Sequence, residues 1–248
     1  MMLSSASRQI RHVGRRATFV RRGFVTSGNR AATSSSAYWM AAAASVITVT
    51  AASAFSIERT SLDAPASLPG PVEEAKTGIL FPPTEGNFSF VGCGVRVKYG
   101  FVKVYAVGTY ANAMDMAKLK PLARADRIKA LLDPAVPRTI RIVMNRDLSI
   151  EKYTSAIVEA LEPRMKGQDA QALESFRQMS VTPPVDLKEG DEIKMTVIGD
   201  LLHYRTAGGG GGTIQSHALT VAMCDVYYGA NPVSPTHLEA VLEGINKM

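Results

Sequence analysis

The chain has 248 residues, 46% apolar and 20% charged, which are globular values that leave ample material for a core. Its net charge of +6 belongs to the N-terminus, where residues 1–30 hold seven Arg and residues 1–57 hold no Asp or Glu, while the chain beyond residue 30 has 21 basic residues against 22 acidic. A nucleic-acid binder carries its basic face on the folded body, so no nucleic-acid partner is expected.

Residues 1–36 are rich in Arg, Ser and Ala and free of acid, the composition of an organelle transit peptide. Arg22-Gly23-Phe24 resembles a mitochondrial processing site, so mitochondria are expected ahead of a chloroplast. A disordered basic tail is the alternative. Residues 37–57, AYWMAAAASVITVTAASAFSI, carry no charge and match the length of about 20 residues that spans a hydrocarbon core. Tyr38 and Trp39 stand at one end, at the level amphipathic rings prefer. The segment reads as an inner-membrane helix, or else as a second sorting signal. With basic residues before it, the positive-inside rule puts the N-terminus in the matrix and the body in the intermembrane space. Residues 58–76, polar with Pro65, Pro69 and Pro71, read as a linker, which leaves 77–248 as the folded domain.

Within that domain the pattern predicts strands over 87–96 and 101–108 and a broadly helical 113–132 broken at Pro121. A strand over 138–145 sets Thr139, Arg141 and Val143 on one face and Ile140, Ile142 and Met144 on the other. Asp147 or Ser149 should cap a helix running to about Pro163, and 169–179 is a further helix. Two strands flank a Gly-Asp turn within 191–206. Gly208 to Gly212, read as a tolerated surface insertion or a flexible tip, precede a helix over 214–229, and a last helix starts at Pro235. Antiparallel strands with helices gathered to one side make the fold α+β.

Much familiar chemistry is missing. The sequence has no phosphate-binding glycine loop, no HExxH and no GxSxG, and its four histidines (12, 203, 217 and 237) lack metal-ligand spacing. Cys93 and Cys224 form no CxxC pair and read as small core residues. Glu73-Glu74 and Asp191-Glu192 read as solvated pairs. No metal or cofactor is expected.

In GVRVKYGFVKVYAVGTY (94–110), Val95 and Val97 point one way and Arg96 and Lys98 the other, while Phe101, Lys103, Tyr105 and Val107 share a face. An exposed face and ordinary strand packing account for Arg96 and Tyr105. The functional alternative is a guanidinium and a phenol meeting at the mouth of an apolar cleft, where they would hold an acidic head group.

Four segments decide between these readings: KTGILFP (76–82), GCGVRVKYGFVKVYAVGTYA (92–111), RIVMNRDLSIEKYTSAI (141–157) and SHALTVAMCDVYYGANPVSP (216–235). In that order they resemble the chalcone isomerase-like proteins, above all the non-catalytic fatty-acid-binding branch and its membrane-tethered mitochondrial relatives. The resemblance implies an open-faced β-sandwich, with a large antiparallel sheet under a layer of helices, a smaller sheet behind, and a ligand between sheet and helices. It places the isomerase's essential arginine on Arg96 and its active-site tyrosine on Tyr153. Its other polar positions fall on Tyr105, Ala160 and Val226, of which the last two have no side-chain donor. That set implies a fatty acid held by Arg96, Tyr105 and Tyr153 in place of a flavonoid isomerase. A retained intramolecular lyase, using Arg96 and Tyr153, and a haem carrier pairing Arg96 with a propionate are the alternatives.

Overall fold

A computed structural model of the chain describes residues 70–248. The transit-peptide and membrane-span readings of 1–36 and 37–57 fall outside these residues. Among the described residues, no helix is long and apolar enough to cross a membrane.

β1 (Val72–Glu73) pairs antiparallel with β2 (Leu80–Phe81). Folded structure thus reaches into the stretch read as linker. Glu74, expected to be solvated, is buried, and its carboxylate accepts from the backbone N–H of Lys76 and Thr77 and from the Thr77 hydroxyl. The large sheet is a seven-stranded antiparallel meander of β3 (Thr84–Glu85), β4 (Phe88–Lys98), β5 (Val102–Ala111), β6 (Arg138–Met144), β7 (Glu192–Ile198), β8 (Leu201–Thr206) and β9 (Gly211–Gln215). Between β5 and β6 come α1 (Ala113–Leu119) and α2 (Arg124–Leu132), parted at Pro121 as expected. Between β6 and β7 come α3 (Ile150–Met165) and α4 (Ala170–Ser180). After β9 come α5 (His217–Tyr228) and α6 (Pro235–Lys247). This is the open-faced α+β architecture that the resemblance implies.

The β6 alternation holds. Ile140, Ile142 and Met144 lie in the main core with Ile157, Leu161 and Met223, while Val143 turns to a smaller core formed with Phe81, Ala106 and Tyr110. Arg141 shares that second face, with its guanidinium over the Phe81 ring and paired to Glu192. Both cores lie inside the compact unit Ser61–Met248, as does every described strand and helix. A unit with its own cores is expected to fold by itself.

Two of the glycine positions have clear physical work. On β4, a Cβ at Gly94 would stand 2.3 Å from the His237 backbone nitrogen, so only glycine admits α6 this close to the strand. Contact at that range lets the Ser234 hydroxyl donate to the Val95 carbonyl (2.8 Å) and the Val95 N–H donate to Thr236 Oγ1 (3.2 Å). The start of α6 therefore clasps the residue next to Arg96. Near the glycine run, a Cβ at Gly210 would lie 2.2 Å from the Thr182 carbonyl oxygen. Gly208 to Gly212 are therefore no tolerated insertion: they form the tight β8–β9 hairpin against the segment after α4. Ile214 and Gln215, expected in a helix, belong to β9, because the Ser216 hydroxyl accepts from Leu219 N–H and starts α5 there.

Candidate functional site

β4 and β5 set Arg96 directly opposite Tyr105, after which the register slips and Val97 pairs with Lys103. Val104 is the extra residue of this β-bulge. The bulge corrects the simple alternation expected from the sequence: Val104 and Tyr105 both enter the main core, while Lys103 points out and donates to the Lys76 carbonyl. Arg96 Nη1 donates to Tyr105 Oη at 3.2 Å, and the guanidinium carbon lies 5.5 Å from the centre of that ring.

Helix α3 carries Tyr153 over the same spot. Its start is fixed by the Ser149 hydroxyl, which accepts from Lys152 N–H, and by Asp186 Oδ1, which accepts from Ile150 N–H. Leu148 and Leu187 exchange backbone hydrogen bonds at 2.9 and 3.0 Å and close the side. The result is a cavity of about 630 Å³ lined by Arg96, Val102, Val104, Tyr105, Tyr153 and Leu187, among others. Pockets that bury most of a small ligand have this size.

Acids and bases both stand on the rim of the cavity, but Arg96 inside it has no counter-ion among the described residues. Burial pulls its pKa down, but the surrounding phenols of Tyr105, Tyr227 and Tyr153 outweigh this and raise it, so the cation persists. The hydroxyls of Tyr153 and Tyr227 are buried with no hydrogen-bond partner among the described residues. Burial drives both pKa values well up, with Tyr204 and Tyr105 adding for Tyr153 and Tyr105 adding for Tyr227, against a smaller opposing pull from Arg96. Tyr227 sits beside Tyr105 without reaching hydrogen-bond geometry. Both phenols are therefore neutral donors, and each unpaired buried hydroxyl costs about 1–3 kcal/mol.

The three site residues expected from the sequence are thus brought together. Ala160 and Val226 are not at the cavity: Ala160 is half-buried beside the core and Val226 is wholly buried within it. Sequence reasoning missed Tyr227, one position along α5, because nothing in the spacing of a uniformly apolar helix marks the residue facing Arg96. None of His203, His217 and His237 lines the cavity. His237 is buried behind it, with Nε2 2.8 Å from Thr109 Oγ1, which in turn lies 2.7 Å from Tyr228 Oη. Among the described residues no group of three metal-ligating side chains forms.

Residues 81–242 match the family of chalcone isomerase-like proteins. The chain belongs to that family. Among chalcone isomerase-like proteins it is similar to Fatty-acid-binding protein 1 of Arabidopsis thaliana, 28% identical over 194 residues that cover 69% of either chain. It also superposes on the crystal structure of a fatty-acid-binding protein from Arabidopsis thaliana. That match has a TM-score of 0.62 and 25% identity, and covers 71% of this chain and 98% of the other. The open, non-barrel sheet under helices is common to both structures.

Proposed function

We propose that the cleft binds a fatty acid, with Arg96 as the ion-pair partner of the carboxylate and Tyr105 and Tyr153 as hydrogen-bond donors to it. The observation that carries this reading is a cation without an acid, half-buried at a cavity and ringed by phenols, two of which have no partner. An isolated cation in such a place is costly, and a planar guanidinium suits a carboxylate in two-pronged fashion. Val102, Val104, Ala156 and Leu187 offer the apolar wall for the chain. The similarity to Arabidopsis fatty-acid-binding proteins supports the same ligand class.

Turnover of a flavonoid is not part of this reading. The isomerase positions that fall on Ala160 and Val226 carry no donor and lie off the cavity, so the cleft lacks part of the set that would stabilise a developing enolate. The proposed setting is the mitochondrial inner membrane, with 1–36 as the import signal, 37–57 as the anchor and the domain in the intermembrane space. Protease protection of the tagged protein in intact and swollen mitochondria checks that setting. Titrating delipidated Ser61–Met248 with oleate tests the site. Charge-assisted hydrogen bonds contribute about 1.5–3 kcal/mol, so Arg96→Ala should weaken binding roughly 10- to 150-fold.

A further inference from the structure

The hairpin that supplies Arg96 and Tyr105 ends in a tip that the core does not use. Tyr99 is 82% exposed and Phe101 is 79% exposed, with Val97 also open beside them. Burying such rings is worth more than almost any other side-chain contact, so two adjacent aromatics left in water are a marked feature. Tyr99 adopts φ 53 at the turn, a left-handed conformation that favours Gly or Asn over a bulky residue. No packing rewards it, since the ring faces solvent. Strain of this kind, held by a side chain that contributes nothing to the fold, points to a task outside the fold.

The tip is also charged in one sense. From Phe88 to Ala111 the hairpin contains Arg96, Lys98 and Lys103 and no Asp or Glu. Among the described residues, Lys98 and the nearby Arg146 and Lys152 pair with no acid, whereas Asp147 on the same rim is already held by Lys188. The acids left on the rim are Glu151 and Glu159 on α3 and Asp186, which caps that helix. Tyr99 and Lys98 line the cavity as well as forming the tip, so whatever the tip touches stands at the cavity mouth.

We propose that the β4–β5 tip docks the domain on an anionic lipid surface, with Tyr99 and Phe101 entering the headgroup region and Lys98 facing the lipid phosphates. Aromatic rings settle at that depth, and each basic residue near an anionic leaflet contributes about 1 kcal/mol of attraction. Docked this way, the cavity mouth opens onto the bilayer. This last step rests on the fatty-acid reading of the cleft; the docking itself does not.

Flotation of Ser61–Met248 with vesicles of phosphatidylcholine, with and without phosphatidylserine, tests the proposal. The expected result is binding to the phosphatidylserine vesicles that weakens as salt is raised. Tyr99→Ser with Phe101→Ser should reduce it at least about tenfold, from the lost apolar burial. Lys98→Glu should reduce it without touching the aromatics. The Tyr99/Phe101 variant should unfold in urea at the wild-type midpoint, as expected of side chains exposed to solvent, which shows that the variant is folded. Arg96→Ala should float like the wild type, so failure of the fatty-acid reading registers as absent oleate binding while docking persists. Wild-type protein that ignores both vesicle types, or tip variants that float as well as wild type, overturns the proposal. So does self-association that the tip substitutions abolish, since that would make a second copy of the chain the occupant of the tip.

Discussion

His237 should make the domain acid-sensitive. Its ring is wholly buried, and burial lowers its pKa to about 3 from an ordinary value near 6.5. The neighbours explain why no compensation occurs. Nε2 is taken up by the Thr109 hydroxyl, which also bonds the Tyr228 hydroxyl, and Nδ1 has no partner among the described residues. The protonated ring would carry a buried charge with an N–H at Nδ1 that has no acceptor. In the unfolded chain the same ring titrates normally, so the unfolded state takes up a proton as pH falls below about 6.5 and the native state does not until about 3. Stability contributed by neutral His237 is complete above that range and lost through it. At about 1.4 kcal/mol per pH unit, the loss between pH 7 and pH 5 from this one group is about 2 kcal/mol. Urea unfolding of Ser61–Met248 at the two pH values measures it, with His237→Gln as the comparison. The variant should start less stable and lose about 2 kcal/mol less between pH 7 and pH 5. Equal losses for wild type and variant would refute the assignment.

Other expectations follow from individual contacts. Gly94→Ala should cost at least about 3 kcal/mol in urea unfolding, because the added Cβ meets backbone of α6 that cannot move aside while Val95 is clasped. Arg138, buried and donating to the carbonyls of Leu131, Asp133 and Val136, ties α2 to β6; Arg138→Met should cost about 2–4 kcal/mol by orphaning those acceptors. Tyr153→Phe removes a hydroxyl that has no partner, so stability should hold or rise by about 1 kcal/mol while oleate affinity falls about 3- to 10-fold. Naringenin chalcone should cyclise no faster with the protein than in buffer; acceleration that Tyr153→Phe removes would restore the lyase alternative.

Much of the fold was legible because its signals are local. Pro121 breaks α1 from α2, Ser149 starts α3, and the alternation through Arg138–Met144 sorts itself onto two faces. Chain neighbours decide each of these. The start of α5 was read too early, at Ile214, whereas the capping hydroxyl of Ser216 fixes it at His217. What stayed hidden depends on contacts distant in sequence. Val104 is a bulge only because β4 pairs at two registers, and Gly210 is required only because Thr182 returns beneath it. The candidate site divides the same way. Motif resemblance located Arg96, Tyr105 and Tyr153, but the unpartnered phenol of Tyr227 and the ring of phenols around Arg96 exist only once α3 and α5 lie over the hairpin.

The central claim is that Arg96 holds the carboxylate of a fatty acid. Mass spectrometry of lipid extracted from purified Ser61–Met248, wild type beside Arg96→Ala, tests it most directly. The account predicts free fatty acid at a near-stoichiometric level with the wild type and its loss, by at least about tenfold, with the variant. Equal fatty acid in the two extracts, or none in the wild type even after incubation with oleate, would contradict it.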